Sequence, residues 1–286
     1  MSSKGEPERG LHPGQDPAVL REQAYADDVR LNVRKRTHQL YTVDPVDFGR
    51  WTLDRLPWRG DERVLDVGCG PGELLREMAR HHSAWGMLVG FDFSTGMMAQ
   101  AARQAGGLEV HFFVGDAQAM PFPDEAFDVV MARHMLYHVP DIDRAVSEAA
   151  RSLRPGGYFL ATTNGAHTMP EYLALRRRAA DRFPGMTEPE MITRAFALEN
   201  GPAFLEPYFA QVEVHTLPGI LRFPTAQPFV DYFASSRALT MPPGHTDAEW
   251  RAVLDFVRAE ADQVVAQQGH FDVTKITGAI VGVKRA

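Results

Sequence analysis

The stretch Arg63-Val-Leu-Asp-Val-Gly-Cys-Gly-Pro-Gly-Glu-Leu-Leu75 decides the fold. Its first half is an apolar strand that ends in Asp66. A Gly68-x-Gly70-x-Gly72 turn follows and opens an amphipathic helix. Glycines allow backbone to pass close to a ligand where a Cβ would collide. The helix that begins after them aims free N–H groups and a positive dipole end at the same place. Such a turn suits a nucleotide-like or zwitterionic cofactor.

Spacing narrows the choice. A dinucleotide turn reads G-x-G-x-x-G, whereas here Gly72 comes two residues after Gly70 and Glu73 takes the next place. A carboxylate there is unfavourable beside a pyrophosphate. Asp66 at the strand end instead suits a ligand carrying a cationic group, such as the ammonium of an amino acid.

Later segments continue the alternation of strand and helix. Met87-Leu-Val-Gly-Phe-Asp92 is a second apolar strand ending in a carboxylate, 24 residues beyond Gly68. An acid at that place can accept both hydroxyls of a ribose. Ser94 caps a helix whose Met97, Met98, Ala101 and Ala105 form a buried stripe, closed by Gly106-Gly107. Val110 to Val114 reads as strand three and leads to Gly115-Asp116-Ala117. Phe127 to Ala132 reads as strand four and leads to Arg133-His-Met-Leu-Tyr-His138. A helix with Ile142, Ala145, Val146, Ala149 and Leu153 at helical spacing precedes strand five, Tyr158 to Thr163.

Taken together, these blocks resemble the class I S-adenosylmethionine-dependent methyltransferases, in the bacterial small-molecule, ubiquinone-biosynthesis-like superfamily. The likeness is specific over about residues 60–165 and looser beyond. It implies an α/β fold: a Rossmann-like seven-stranded mixed sheet, strand seven antiparallel, with helices on both faces and a helical cap. It implies S-adenosylmethionine as cofactor and S-adenosylhomocysteine as product. It places Asp66, Gly68, Gly70 and Gly72 around the methionine moiety and Asp92 at the ribose, with Phe93 among the cofactor-binding residues. Asp116 and Ala117 fall at the adenine, and Arg133 contributes through its backbone. Tyr41, with Arg36 near it, is a lid contact on the same analogy, or equally packs its ring and leaves its hydroxyl in water.

Domain boundaries follow from composition and periodicity. Residues 1–18, rich in Pro, Gly and charge, read as a disordered tail. Residues 19–58 read as a helical lid broken at Val43-Asp-Pro45, and 59–165 as the cofactor-binding core. A helical cap insertion spans 166–210, with a helix from Glu171 to Phe183 and a capping-box start at Thr187 to Glu190. Another helical reading runs from Ala197 to Phe209. Residues 211–223 form a core strand, 224–272 a second helical insertion, and 273–286 the final strand, drawn from Ile276 to Lys284. Thr246 and Glu249 open the clearest helix, with Trp250, Val253, Val257 and Ala261 inward and Gly269 as its stop. A cap of this kind closes the face above the strand ends. Phe183, Met186, Met191, Phe196, Phe229, Tyr232 and Phe233 can line the pocket beneath, or equally form the cap's own core.

Methyl transfer needs a base only where the acceptor must lose a proton. Candidates are His134 and His138, with Tyr137 between them, just past strand four; histidine titrates near neutrality. His138 reads equally well as a residue that holds the loop, and His167 is a further candidate. No His, Cys and carboxylate set has ligand spacing, so no metal is expected. Arg34-Lys-Arg36 and Arg176-Arg-Arg178 are short and read as solvated helix faces. The smallness of Cys69, rather than its thiol, suits its place among glycines.

Composition bounds the rest. At 286 residues and 44% hydrophobic content the chain can bury one large core. A net charge of −7 gives no general attraction to nucleic acid. The single cysteine rules out an internal disulfide and fits a reducing compartment. The polar opening Met1 to Arg9 is not a signal peptide and no apolar run spans a bilayer, so the cytoplasm is the expected location. The expected function is methyl transfer to O, N or C of a small organic acceptor, a secondary metabolite, by a monomer or homodimer acting without nucleic acid or membrane. Two alternatives stand beside it: a quinone-type C-methyltransferase, and a cofactor-binding protein without transferase activity.

Overall fold

The computed structural model describes residues 15, 29–82, 84–187, 191–241 and 244–285. The expected tail over 1–18, the helical reading of 19–28 and most of the Thr187–Glu190 capping box lie outside the described residues, or nearly so.

Two helices, α1 (Val29–Tyr41) and α2 (Phe48–Leu53), precede the sheet. The core then runs β1 (Arg63–Val67), α3 (Glu73–His81), β2 (Met87–Asp92), α4 (Thr95–Ala105), β3 (His111–Val114), β4 (Phe127–Arg133), α5 (Ile142–Ser152) and β5 (Leu153–Asn164). Helix α6 (Pro170–Arg182) and the short α7 (Gly201–Leu205) lead to β6 (Phe209–Phe223). Helices α8 (Ala226–Ala234), α9 (Arg237–Thr240) and α10 (Asp247–Gln268) come before β7 (Phe271–Lys284).

The strands form one mixed sheet in the order β3-β2-β1-β4-β5-β7-β6. Pairing is parallel from β3 to β5, and β7 inserts antiparallel between β5 and β6, as the resemblance implied. Both faces are covered, which is why β1, β2 and β4 are nearly continuous apolar runs. Leu74, Leu75 and Met78 of α3 pack with Met97, Met98 and Ala101 of α4 against one face. Ile142, Ala145 and Val146 of α5 pack with Leu205 of α7 against the other. Local signals explain the helix ends. Ser94 accepts from the Met97 amide and Gly106 closes α4 at φ 57°, while Thr246 and Glu249 complete the capping box of α10.

Strands β6 and β7 are longer than the sequence reading drew them. β7 begins at Phe271 rather than Ile276, because Phe271 to Lys275 pair with Gly219 to Phe223 beyond the edge of the parallel sheet. β5 begins at Leu153, with an irregularity opposite Phe127 to Val129 that absorbs the Pro155-Gly156-Gly157 turn. The helix read from Ala197 to Phe209 reduces to α7, since Asn200 turns back to accept from the Ala197 amide and Phe209 already belongs to β6.

The projecting halves of β6 and β7 carry a second core. Leu221, Phe223, Phe271 and Val273 face Tyr172 and Leu175 of α6, Phe229 and Phe233 of α8, and Trp250, Val253 and Val257 of α10. Phe229 is fully buried, with the rings of Phe271, Phe223 and Tyr172 at 4.6, 5.6 and 6.3 Å. Phe229 and Phe233 are thus cap core, and Phe196 belongs to the main core. Truncating a large buried aromatic costs about 3–5 kcal/mol. Phe229→Ala is expected to lose that much in urea unfolding followed by tryptophan fluorescence; a loss under about 1 kcal/mol would mean the cap core has another centre.

Candidate active site

One cavity of about 1360 Å³ opens at the carboxyl ends of the parallel strands and continues beneath the cap. Its first part lies where the strand order reverses between β1 and β4, the usual ligand crevice of open α/β sheets. Gly68, Cys69, Gly70, Asp92, Phe93, Asp116, Ala117, Arg133, His134, Tyr137 and His138 all line it. Tyr41, Asp66 and Gly72 do not.

The three glycines of the turn have positive φ for different reasons. A Cβ on Gly68 would run into Met135, and one on Gly72 into the ring of Phe112. On Gly70, at φ 54°, it would meet nothing, because that residue faces the cavity. Gly70 is thus open to the cavity, while side-chain packing leaves no room for a Cβ at the other two.

Asp92 organises the turn. Its Oδ2 accepts from the Gly70 amide at 2.9 Å and its Oδ1 from the Ser94 amide at 2.9 Å. A carboxylate has about four lone-pair sites, so two acceptor positions remain on a side chain in the cavity wall. Burial raises its pKa, and the two amides oppose that shift. Asp116, at the end of β3, is exposed and accepts from the Gln118 amide at 2.9 Å; Ala117 behind it is buried.

Asp66 is fully buried one layer behind the wall. Arg133 Nη2 donates to its Oδ2 at 3.3 Å, while Oδ1 has no partner among the described residues. Desolvation raises the Asp66 pKa and Arg133 opposes it. The acid read from the sequence as a ligand contact is thus covered by the Arg133 side chain. Arg133, read as a backbone contributor, lines the cavity and also sets its guanidinium on Asp66. Tyr41 is displaced as well: its ring packs on Phe223 at 5.2 Å, because α1 turns a different stripe inward.

That inward stripe is Arg34, His38 and Thr42, at i, i+4 and i+8, with Lys35 and Gln39 beside it. Lys35 donates to Glu73 at 2.6 Å, tying α1 to the start of α3. Polar residues at helical spacing were the sequence signal for this face. The remaining cavity residues come from the sheet extension and cap, among them Thr162, Asn164, Arg176, Tyr232, Lys275 and Thr277. Arg176 is buried, with Nη2 donating to Thr187 Oγ1 at 3.0 Å; of the run read as solvated, only Arg177 and Arg178 are exposed. His167 is exposed and lies off the cavity.

His134 takes φ 50°, held by its amide donating to the Thr162 carbonyl at 2.9 Å. Its ring lies against Phe48 at 5.5 Å and Tyr137 at 6.4 Å, and Tyr137 meets His138 at 4.6 Å. Burial, then Arg133 and His138, lowers the His134 pKa to about 4. His38 falls to about 3 through burial, Lys275, His134 and Arg34. Both imidazoles are neutral at pH 7 and are weaker bases than a free histidine.

Comparison with known proteins agrees with this geometry. A family described as "Methyltransferase domain" matches residues 65–161. The chain is 40% identical over 106 residues to 27-O-demethylrifamycin SV methyltransferase of Amycolatopsis mediterranei, covering 36% of this chain and 38% of that one. It is 40% identical over 120 residues to demethylmenaquinone methyltransferase of Thermus thermophilus, covering 39% and 54%. In both cases the match spans less than two thirds of the relative's length. The Bacillus YcgJ structure superposes with a TM-score of 0.57 at 22% identity, over 83% of this chain and 98% of that one. The fold is the Rossmann-like fold of methyltransferases. Over residues 65–161, about a third of its length, the chain is similar in sequence to the methyltransferase-domain family. Among the described residues no helix is long and apolar enough to cross a membrane.

Two expectations follow. Removing one member of a buried ion pair strands the other, so Arg133→Met is expected to lose roughly 3 kcal/mol in urea unfolding, recovered in large part by adding Asp66→Asn. An unrecovered loss would mean that Arg133 acts by packing alone. The second concerns pH. The unfolded chain binds protons on its histidines from about pH 6.5 downward, while folded His38 and His134 stay neutral until about 3 and 4. Stability from these groups is present above pH 6.5 and lost as pH falls toward those values. The loss from pH 7 to pH 5 is roughly 2 kcal/mol for each. The raised pKa values of Asp66 and Asp92 act in the opposite direction, so the measurement is a difference. A His38→Gln/His134→Gln variant is expected to show a flatter urea midpoint between pH 7 and 5 than wild type, and parallel profiles would overturn the assignment.

Proposed function

We propose that this protein transfers the methyl group of S-adenosylmethionine to a small organic acceptor held beneath the cap. The observation that carries the reading is the single cavity joining the glycine turn to the cap. Its volume of about 1360 Å³ exceeds the ~300–1,000 Å³ of an ordinary one-ligand site and accommodates cofactor and acceptor together.

The residues present fit the cofactor. Gly70 is open toward the cavity where a Cβ would otherwise stand, and Asp92 keeps acceptor capacity on the wall. Gly68 and Gly70 would hold the amino-acid end, with Arg133 and the buried Asp66 behind them. Asp92, with Phe93 beside it, would take the ribose. Asp116 and the Ala117 amide would read the adenine, at the end of β3.

The bound cofactor supplies a methyl already activated on a sulfonium. What remains for the chain is alignment and exclusion of water. Helix α1 and the cap close over the strand ends and perform the second task. His134, Tyr137 and His138 stand on the loop after β4, across the strand-order switch from the glycine turn. Neutral His134 suits a hydrogen bond from an acceptor hydroxyl or N–H, and its pKa of about 4 assigns it orientation more than net proton removal.

The test is calorimetric titration with S-adenosylhomocysteine, with NADH as the comparison. One-to-one binding of the former alone is expected. Asp92→Asn is expected to weaken it by about 1.5–3 kcal/mol, the scale of hydrogen bonds involving a charged group. Folded, ligand-free protein that does not bind S-adenosylhomocysteine overturns the function, and an unchanged Asp92→Asn affinity removes Asp92 from the ribose. Binding without any methylated product across candidate acceptors would favour the cofactor-binding alternative.

A further inference from the structure

Lys275 stands where the alternation of β7 calls for an apolar residue. Phe271, Val273, Lys275, Thr277, Ala279 and Val281 share one face of the strand, and all of them except Lys275 and Thr277 are buried in the cap or main core. Those two interrupt the row where the cavity meets the sheet. Opposite Lys275 in the β6 register is Gly219. A Cβ there would come within 2.8 Å of Lys275 Cε, so a side chain would crowd the lysine stem.

Among the described residues the ammonium has no acidic partner. Nζ donates to Thr42 Oγ1 at 2.9 Å and lies 3.4 Å from His38 Nδ1, and no carboxylate pairs with it among the described residues. The acids elsewhere on the wall are otherwise engaged. Glu73 pairs with Lys35, Asp47 caps α2, Asp92 holds the glycine turn and Asp116 turns toward Gln118. Asp44 lies exposed on the outer loop. Around Lys275 the wall is neutral or cationic. Tyr232, His38, Asn164 and Thr277 share it, and burial pushes the Tyr232 phenol well above its usual range, so it stays protonated.

A half-buried ammonium without a counter-charge is costly. Burial lowers the Lys275 pKa, and both nearby hydrogen-bonding partners are uncharged. An anionic ligand offsets that cost. We propose that Lys275 is a binding residue for the acceptor, pairing its ammonium with a negatively charged oxygen, a carboxylate or ionised phenol, beneath the cap. The proposal rests on the reading of the cavity as a joint cofactor and acceptor site. Lys275 selects the acceptor's charge; it does not assign the atom that receives the methyl group.

The test titrates protein saturated with S-adenosylhomocysteine with 4-hydroxybenzoate and with 4-hydroxybenzamide, which differ only in the carboxylate. Wild type is expected to bind the acid about tenfold tighter or more, the scale of a hydrogen bond to a charged group. Lys275→Met should erase that preference and Lys275→Arg retain part of it, with S-adenosylhomocysteine affinity unchanged in both. A lysine that only straps α1 to β7 would lower thermal stability and leave the acid-to-amide ratio alone. Wild type that binds the acid no better than the amide, including binding neither, overturns the proposal, as does a preference that survives Lys275→Met. Should that variant fail to fold, bromide-soaked crystals of the wild-type complex carry the test: a halide within hydrogen-bonding reach of Nζ supports it and an empty Nζ overturns it. Failure of wild type to bind S-adenosylhomocysteine strikes the function itself and is read separately.

Discussion

The antiparallel ladder between β6 and β7 is the constraint on which the rest depends. It pairs Phe209 with Lys284 at one end and Phe223 with Phe271 at the other. Its first half completes a sheet whose parallel strands end in the crevice, and its second half runs past them as a platform for the cap. Close pairing sets the side chains it tolerates. Gly278 stands where a Cβ would collide with the His215 carbonyl, and Gly282 where one would meet the Phe209 ring. Thr42 bridges to Leu221 and the Val43 amide donates to the Ile220 carbonyl. The same ladder therefore anchors the helix that closes the cavity.

The cavity changes character along its length. At the strand ends it is organised by carboxylates that accept from backbone amides, with Asp92 spanning the glycine turn and the cap of α4. Beneath the cap the polar groups are hydroxyls, neutral imidazoles and cations. This asymmetry is tertiary in origin. α1 brings His38 and Thr42 to Lys275 from more than two hundred residues away, and desolvation between them holds His38 neutral. Carboxylates at one end, and cations among neutral groups at the other, give the cavity two regions of opposite electrostatic character.

The core was legible because its signals are local. A strand of apolar residues, a carboxylate at its end and a glycine turn lie within one short segment, and each later strand repeats the rhythm. Ser94, Gly106, Thr246 and Gly269 each mark a helix end through a hydrogen bond or a φ value that depends on near neighbours. Asp92, Asp116 and Ala117 could be read as cavity residues because strand ends in this topology converge on one crevice. Tyr41 and Asp66 could not be placed this way. Whether Tyr41 faces ligand or Phe223 depends on the rotation of α1, which packing against β6 sets. Whether Asp66 meets ligand or Arg133 depends on a residue three strands later in the chain.

By itself, then, the sequence determined the order of strands and helices, the turn that opens the crevice and the carboxylates at the strand ends, since periodicity, capping and glycine conformation act over a few residues. Only the tertiary structure decided which glycine faces the cavity, which acid lies behind an arginine, and that Lys275 shares a wall with His38. Each of those depends on what a distant segment places against the residue. Desolvation and the loss or gain of a partner are properties of that juxtaposition, not of the residue's neighbours in sequence.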